Sequence, residues 1–395
     1  MATLSTSSSS LTGSTGATAT ALGTSALAVN SGANNTAVGA GALDVVTTGT
    51  DCTAVGYNAL GANLTSAYNT AVGSDALKLN TAAKNTAVGA LAMDAITTGA
   101  NSVAVGYGAL GTLTTAAGAT AVGFEALTAS TVVGTAVGYR ALYTNTSGAS
   151  NTALGNLALT ANVDGGTNTA CGASALSGCS SGSNNTAVGS GALTGLTTGS
   201  RNTAVGETSL ATNSTASDNT AVGYQALNLS ATGTRLTAVG KSALATCTVN
   251  DNTAVGHTAL TSVSTGTANT ALGSNAGLLV NSGTSNLLLG YQCGDNLTTG
   301  SRNIIIGYDL NASAVGVNDE LNIGGTLIGV VGAGCRIVGG FGCNAAATQT
   351  AYASGGALAA YGTGVFGLGS DAAMSAMHAL VVNIRAALVA NGVMS

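Results

Sequence analysis

Along most of the chain one short phrase of polar and apolar residues, Asn-Thr-Ala-Val-Gly, returns about every seventeen positions. Its glycine falls eighteen times between Gly23 and Gly307, with a weaker echo at Asn322-Ile323-Gly324. Thr-Ala-Val is rich in strand formers and too short for a helix, and the glycine that ends it supplies a bend. Three and four residues after that glycine most units carry Ala-Leu, as at Ala42-Leu43, Ala59-Leu60, Ala109-Leu110, Ala192-Leu193 and Ala226-Leu227. This pair reads as a second short strand. Many units then turn through Thr-Thr-Gly, with Gly49, Gly99, Gly199 and Gly300 each seven residues before the next marker glycine. So regular a unit predicts one turn of a stack: a parallel β-solenoid whose coils each add about 4.8 Å, eighteen of them spanning roughly 85 Å.

Side-chain alternation adds a prediction about assembly. In Ala-Val the two side chains must point to opposite faces of the strand, yet both are apolar throughout the array. A lone solenoid buries only its inward face, so the outward face needs a partner. Three copies around an axis meet that need, and the sequence predicts a homotrimer. Asparagine recurs one place before the strand, at Asn35, Asn69, Asn85, Asn151, Asn168, Asn185 and onward to Asn303. Stacked coil on coil, such amides can bond to each other and to turn backbone as a structural ladder. Asn-x-Ser/Thr strings such as Asn63-Leu64-Thr65 read as by-products of the repeat.

The pattern divides the chain into residues 1–16, Ser/Thr-rich and unpatterned, as an attachment peptide; 17–325 as the β-roll shaft; 326–369 as a transition or knob; and 370–395 as a helix. Near the end of the shaft the strand residues enlarge to Leu287-Leu288-Leu289 and Ile304-Ile305-Ile306, which predicts a widening core. Ile328–Val331 and Ile337–Val338 read as short strands. In the last segment Met374, Met377, Val381, Ile384 and Leu388 are spaced 3, 4, 3, 4 between a Ser370 or Asp371 cap and Gly392. That is a heptad seam, predicting a short α-helical trimer clamp.

Composition narrows the class. Charged residues make up 6 % and aromatics 3 %, with 59 glycines, no proline and no tryptophan, which is unlike an ordinary globular enzyme. A chain 45 % hydrophobic at net charge −5 does not have the composition of a disordered one. No run approaches the roughly 18 apolar residues of a spanning helix, so membrane insertion is not expected. The first residues lack the basic and apolar regions of a secretory signal, so export by that route is not expected either. Nine scattered Lys and Arg form no basic stripe for nucleic acid.

Asn101-Ser102-Val103-Ala104-Val105-Gly106 and its variants resemble the head repeats of trimeric autotransporter adhesins over roughly residues 17 to 325. The resemblance implies a left-handed parallel β-roll assembled as a trimer. The units here are somewhat longer, and that family's export signal and C-terminal membrane anchor have no counterpart in this sequence. The repeat is also similar to fibre proteins of tailed bacteriophages, which need no export signal. Their small terminal domains often carry an Ile-Arg-x-x-Leu helix, which Ile384-Arg385-Ala386-Ala387-Leu388 resembles.

Chemistry has little material. Of seven cysteines, Cys171 takes the place of the strand Val, Cys293 that of the Ala after the glycine, and Cys52 that of the ladder Asn. No Cys-x-x-Cys occurs, and the 171/179 and 335/343 pairs lack histidine partners, so buried free thiols are expected and no metal or other cofactor. The two histidines, His257 and His378, sit in a repeat turn and on the terminal helix, too few for a nucleophilic triad. Asp319 and Glu320 are adjacent, and neighbouring side chains diverge in a strand. No catalytic residue is assigned.

One column invites a binding role. The residue after the marker glycine is Tyr57, Tyr107, Phe124, Tyr139, Tyr224, Tyr291 or Tyr308 in some coils and Glu207, Lys241 or His257 in others. A column that tolerates charge faces outward. Its rings become the candidate receptor contacts, stacking on sugars of a host polysaccharide; the plainer reading has them covering the edge of a neighbouring subunit.

The expected protein is a non-enzymatic virion fibre subunit, made in the host cytoplasm and docked through its N-terminus to a tail or capsid adaptor. A head fibre or capsid decoration is the near alternative; a depolymerase tailspike or an ice-binding solenoid is a more distant one. Thr36, Thr53, Thr70 and Thr86 do stack, but ice binding usually needs two outward Thr columns and here one Thr precedes a buried Ala.

Overall fold

The computed structural model describes residues 18–115, 117–330 and 334–337. Nineteen short strands, from β1 (Thr20–Leu22) to β19 (Glu320–Ile323), stack in chain order as one parallel sheet. Each Thr-Ala-Val pairs with its own counterpart one coil on, Thr36 beside Thr53 and Ala37 beside Ala54. The described residues form an all-β parallel solenoid of about eighteen coils. At its C-terminal end β19 pairs antiparallel with β20 (Leu327–Val330), which pairs antiparallel with β21 (Gly334–Ile337). The 1–16 peptide, most of the 326–369 region and the 370–395 helix with Met374, Met377, Val381, Ile384 and Leu388 lie outside the described residues.

Each coil has one strand, not two. Ala-Leu forms a turn, in which the Leu has positive φ, 48° at Leu43 and 53° at Leu60, as does the residue two before it, 51° at Asn58. The cause is burial. Ala42 and Leu43 are both fully buried, and extended backbone would send adjacent side chains to opposite faces. Left-handed turns aim both inward, at a cost of roughly 1–2 kcal/mol per non-glycine residue that core packing must offset. The turn still hydrogen-bonds along the stack, since Leu60 N–H donates to the Ala76 carbonyl at 3.0 Å.

The marker glycine is demanded by its neighbour in the next coil. Gly206 has φ +133°, and a Cβ placed there would lie 2.5 Å from the carbonyl oxygen of Gly223. Only glycine combines that dihedral with so close a backbone approach.

Five inward columns fill each coil. The ladder Asn, the strand Ala and the two residues of the Ala-Leu pair were legible in the motif. The fifth stands seven residues after the marker glycine and mixes aliphatic, amide and thiol side chains: Val46, Asn63, Ile96, Asn162, Cys179 and Leu196 are all fully buried. Where the strand residue grows to Leu288, the interior is exchanged and not widened. Gly277 and Gly294 replace the turn Leu, and a Cβ on either would meet a Leu288 methyl at 2.6 or 2.8 Å.

Candidate functional site

Strand alternation gives each coil two outward positions, the Thr and the Val of Thr-Ala-Val. Ala37, Ala54 and Ala71 are fully buried between them, while Val72, Val88 and Val188 are 36–37 % exposed. From Thr20 and Leu22 to Leu321 and Ile323 neither outward column contains a charged residue. Charges begin in the flanking columns. Before the ladder Asn stand Arg201, Asp218, Arg235 and Asp251, and after the marker glycine stand Glu207, Lys241 and His257. The outcome is a continuous neutral strip of hydroxyls and methyls along the whole shaft.

The flanking charges pair coil to coil. Arg201 donates to both carboxylate oxygens of Asp218 at 2.6 and 3.0 Å, Arg235 to those of Asp251 at 2.6 and 2.9 Å, and Arg302 to those of Asp319 at 2.6 and 2.7 Å. These hydrogen bonds hold the three carboxyls below the usual carboxylate range and raise the guanidinium values. All but the half-buried Asp319 are exposed, so water and salt screen them and the pairs do more for local order than for stability.

The aromatic column is exposed, from 42 % at Phe124 and Tyr291 to 58 % at Tyr57 and 79 % at Tyr308. Neighbouring rings stack on one another. Tyr107 and Phe124 have centroids 5.4 Å apart, Phe124 and Tyr139 5.6 Å, and Tyr291 and Tyr308 5.2 Å, with planes within 18° of parallel. Both faces of Phe124 are therefore occupied, leaving its edge to solvent. The Arg140 guanidinium lies 5.4 Å from the Tyr139 ring and 4.9 Å from that of Tyr143, and donates to Glu125 at 2.7 Å. Lys241 stands 5.9 Å from the Tyr224 ring. Tyr57 has only Ala40 and Ser74 as column neighbours, so no ring of its column stacks on it.

Asp319 and Glu320 do not converge. Asp319 faces outward to Arg302, whereas Glu320 is buried in the ladder column, its backbone N–H donating to Asn303 Oδ1 at 2.8 Å. Its carboxylate accepts the Ser313 N–H at 2.9 Å and the Ser313 hydroxyl at 3.1 Å, so this acid terminates the ladder. Adjacent numbering hid that role; its clue was seventeen-residue spacing from Asn303. Cys52, Cys179, Cys247 and Cys293 are free and buried, and Cys171 is the half-buried exception, standing in the outward Val column. Among the described residues no group of His, Cys, Asp or Glu could hold a metal ion, and no helix is long and apolar enough to cross a membrane.

Comparison with protein-family models, with curated proteins and with solved structures finds no match.

Proposed function

We propose that the chain is a structural fibre subunit whose copies associate along the neutral strip into a rigid homotrimeric rod, serving a virion as the shaft that carries a host-binding region away from the particle. One observation carries the reading: two outward columns without a charge over nineteen strands, bordered by columns that hold charges. A strip roughly 85 Å long and about 10 Å wide offers roughly 850 Å² per copy, close to the roughly 800 Å² per partner of a stable interface. Exposed apolar surface of that extent marks an association face. The viral setting rests on the resemblance of the repeat to phage fibres, with residues 1–16 as the peg into a tail or capsid adaptor; a head fibre is the near alternative. Tyr57, which stacks on no other ring, and Tyr308, the most exposed of the column and stacked only on Tyr291, are the best-placed contacts for a host polysaccharide, whereas Phe124 is covered by Tyr107 and Tyr139.

Light scattering on the purified full chain tests the rod. Three chains of 37.3 kDa give a particle of about 112 kDa. A monodisperse monomer sinks the reading and leaves the Thr and Val columns bare. An ice-binding solenoid, with its single Thr column, is then the reading that a thermal-hysteresis assay tests. New reducing ends after incubation with host polysaccharide instead point to a depolymerase.

A further inference from the structure

A periodic interface cannot set its own register. Where every rung presents Thr and Val, sliding one copy past another by a single rung preserves nearly all of the contact, as in any sheet whose pattern does not distinguish neighbouring positions. The strip is almost uniform in this sense. Its Thr column departs once in the first sixteen strands, at Val103, and its Val column departs there only at Leu22, Leu154, Cys171 and Leu272.

The last three rungs differ in both columns. In β17 (Leu287–Leu289), β18 (Ile304–Ile306) and β19 the outward pairs are Leu287 with Leu289, Ile304 with Ile306 and Leu321 with Ile323. All six are partly or fully exposed, while Leu288 and Ile305 between them point into the core at zero exposure. The enlargement outward is not a by-product of core packing, since the interior is balanced separately by Gly277 and Gly294. Shape then discriminates between registers. Bulky rungs set opposite bulky rungs fill a space that Thr and Val leave open, whereas a one-rung slip drives Leu287 or Leu289 against a Thr-Val rung and leaves a gap at the other end. Misfit of either kind is penalised in a packed interface.

We infer that these six outward aliphatic side chains are a register lock between copies of this chain, aligning parallel rods at their C-terminal ends. The inference rests on the rod reading above and adds to it the partner's alignment. The partner is another copy because it must share the coil rise over the whole strip and, at one end, the same three enlarged rungs.

The test restores the shaft pattern at the lock with Leu287→Thr, Leu289→Val, Ile304→Thr, Ile306→Val, Leu321→Thr and Ile323→Val in the full chain, leaving Leu288 and Ile305 in place. Light scattering and cryo-electron microscopy are run on wild type and variant. The lock predicts a single alignment in the wild type and, in a variant of unchanged mass, several alignments offset by multiples of about 4.8 Å. A variant that keeps one alignment overturns the lock and leaves the rod standing, with register then set elsewhere. A wild-type monomer overturns the rod itself. Should the six-fold variant fail to fold, the triplet Leu287→Thr, Ile304→Thr and Leu321→Thr, which restores the Thr column in all three rungs while the Val column keeps a larger aliphatic residue as it does at Leu22, Leu154 and Leu272, is read the same way. Adding Thr36→Leu, Val38→Leu, Thr53→Ile, Val55→Ile, Thr70→Leu and Val72→Ile to the lock variant moves the three enlarged rungs to the other end, and a single alignment must return.

Discussion

The side-chain oxygen of Asn185 accepts the backbone N–H of Asn202, one coil further on, at 2.9 Å. The same amide donates from Nδ2 to the Gly199 carbonyl at 2.9 Å, and Asn185's own N–H is held by Asn168 Oδ1 at 2.9 Å. One buried side chain thus closes hydrogen bonds for backbone groups that the strand ladder does not reach. Asn185→Ala leaves the Asn202 N–H and the Gly199 carbonyl unpartnered in the interior. We expect a loss of about 2–6 kcal/mol, from roughly 1–3 kcal/mol for each of the two buried groups left unsatisfied. Urea titration measures it, and hydrogen exchange should show protection falling first around residues 199–202. Ser190→Ala, outside the ladder, should change neither reading.

Marker glycines and corner glycines should respond differently to a methyl group. In Gly206→Ala the new Cβ meets the Gly223 backbone at 2.5 Å while φ is +133°, so two coils must separate or the turn must reform. That is the kind of clash behind losses above about 4 kcal/mol. Gly118, with φ +83° and nothing within 4 Å of a Cβ, carries only the dihedral penalty of about 1–3 kcal/mol. Thermal midpoints of the two variants check the ordering. Equal shifts would mean that coil-to-coil contact at the marker glycine does not constrain the fold.

The repeat made the solenoid legible because period and burial share one cause: every coil places the same residue in the same column, so Asn, Ala and Gly positions each announce their environment. Two features escaped. Ala-Leu passes for a strand because it is a short apolar pair between turn signals, although two adjacent apolar residues in most units already signal that both are buried, which extended backbone forbids. The column of Val46, Asn63 and Cys179 was hidden because amide, thiol and aliphatic side chains all fit it, leaving spacing as the sole signal. The outward direction of the aromatic column could be read from its charged members. Ring-on-ring stacking could not, since it depends on which coils carry rings consecutively and on how the turn aims them.

That stacking separates the tyrosines by function. A sugar packs on a ring face, and Phe124 has a ring stacked on each side, whereas Tyr57 has no column ring stacked on it and is 58 % exposed. If the rod binds host polysaccharide through this column, Tyr57→Ser and Tyr308→Ser lower adsorption to host cells. Phe124→Ser leaves adsorption unchanged and instead costs about 1–3 kcal/mol, from two aromatic pairs at roughly 0.5–1.5 kcal/mol each. Adsorption that is insensitive to Tyr57 and Tyr308 in correctly assembled rods removes the column from receptor binding.

Alkaline pH should weaken the shaft through its buried thiols. Burial pushes the Cys179 thiol up to about 11 from its usual value of 9.0, and raises Cys52, Cys247 and Cys293 as well. The unfolded chain therefore releases these protons at a lower pH than the folded one. The contribution of the neutral thiol is complete below about pH 9 and is lost as pH climbs toward 11, worth about 2–3 kcal/mol at Cys179 from two pKa units at roughly 1.4 kcal/mol each. The comparison is made between wild type and one variant at each pH. Cys179→Val keeps an apolar side chain in a column that also holds Val46 and Leu196 while removing the titrating group. The two thermal midpoints should keep a constant separation from pH 7 to 9 and then shift, with the wild type falling faster. Parallel curves up to pH 11 would show that Cys179 meets water readily enough to titrate as it does in the unfolded chain.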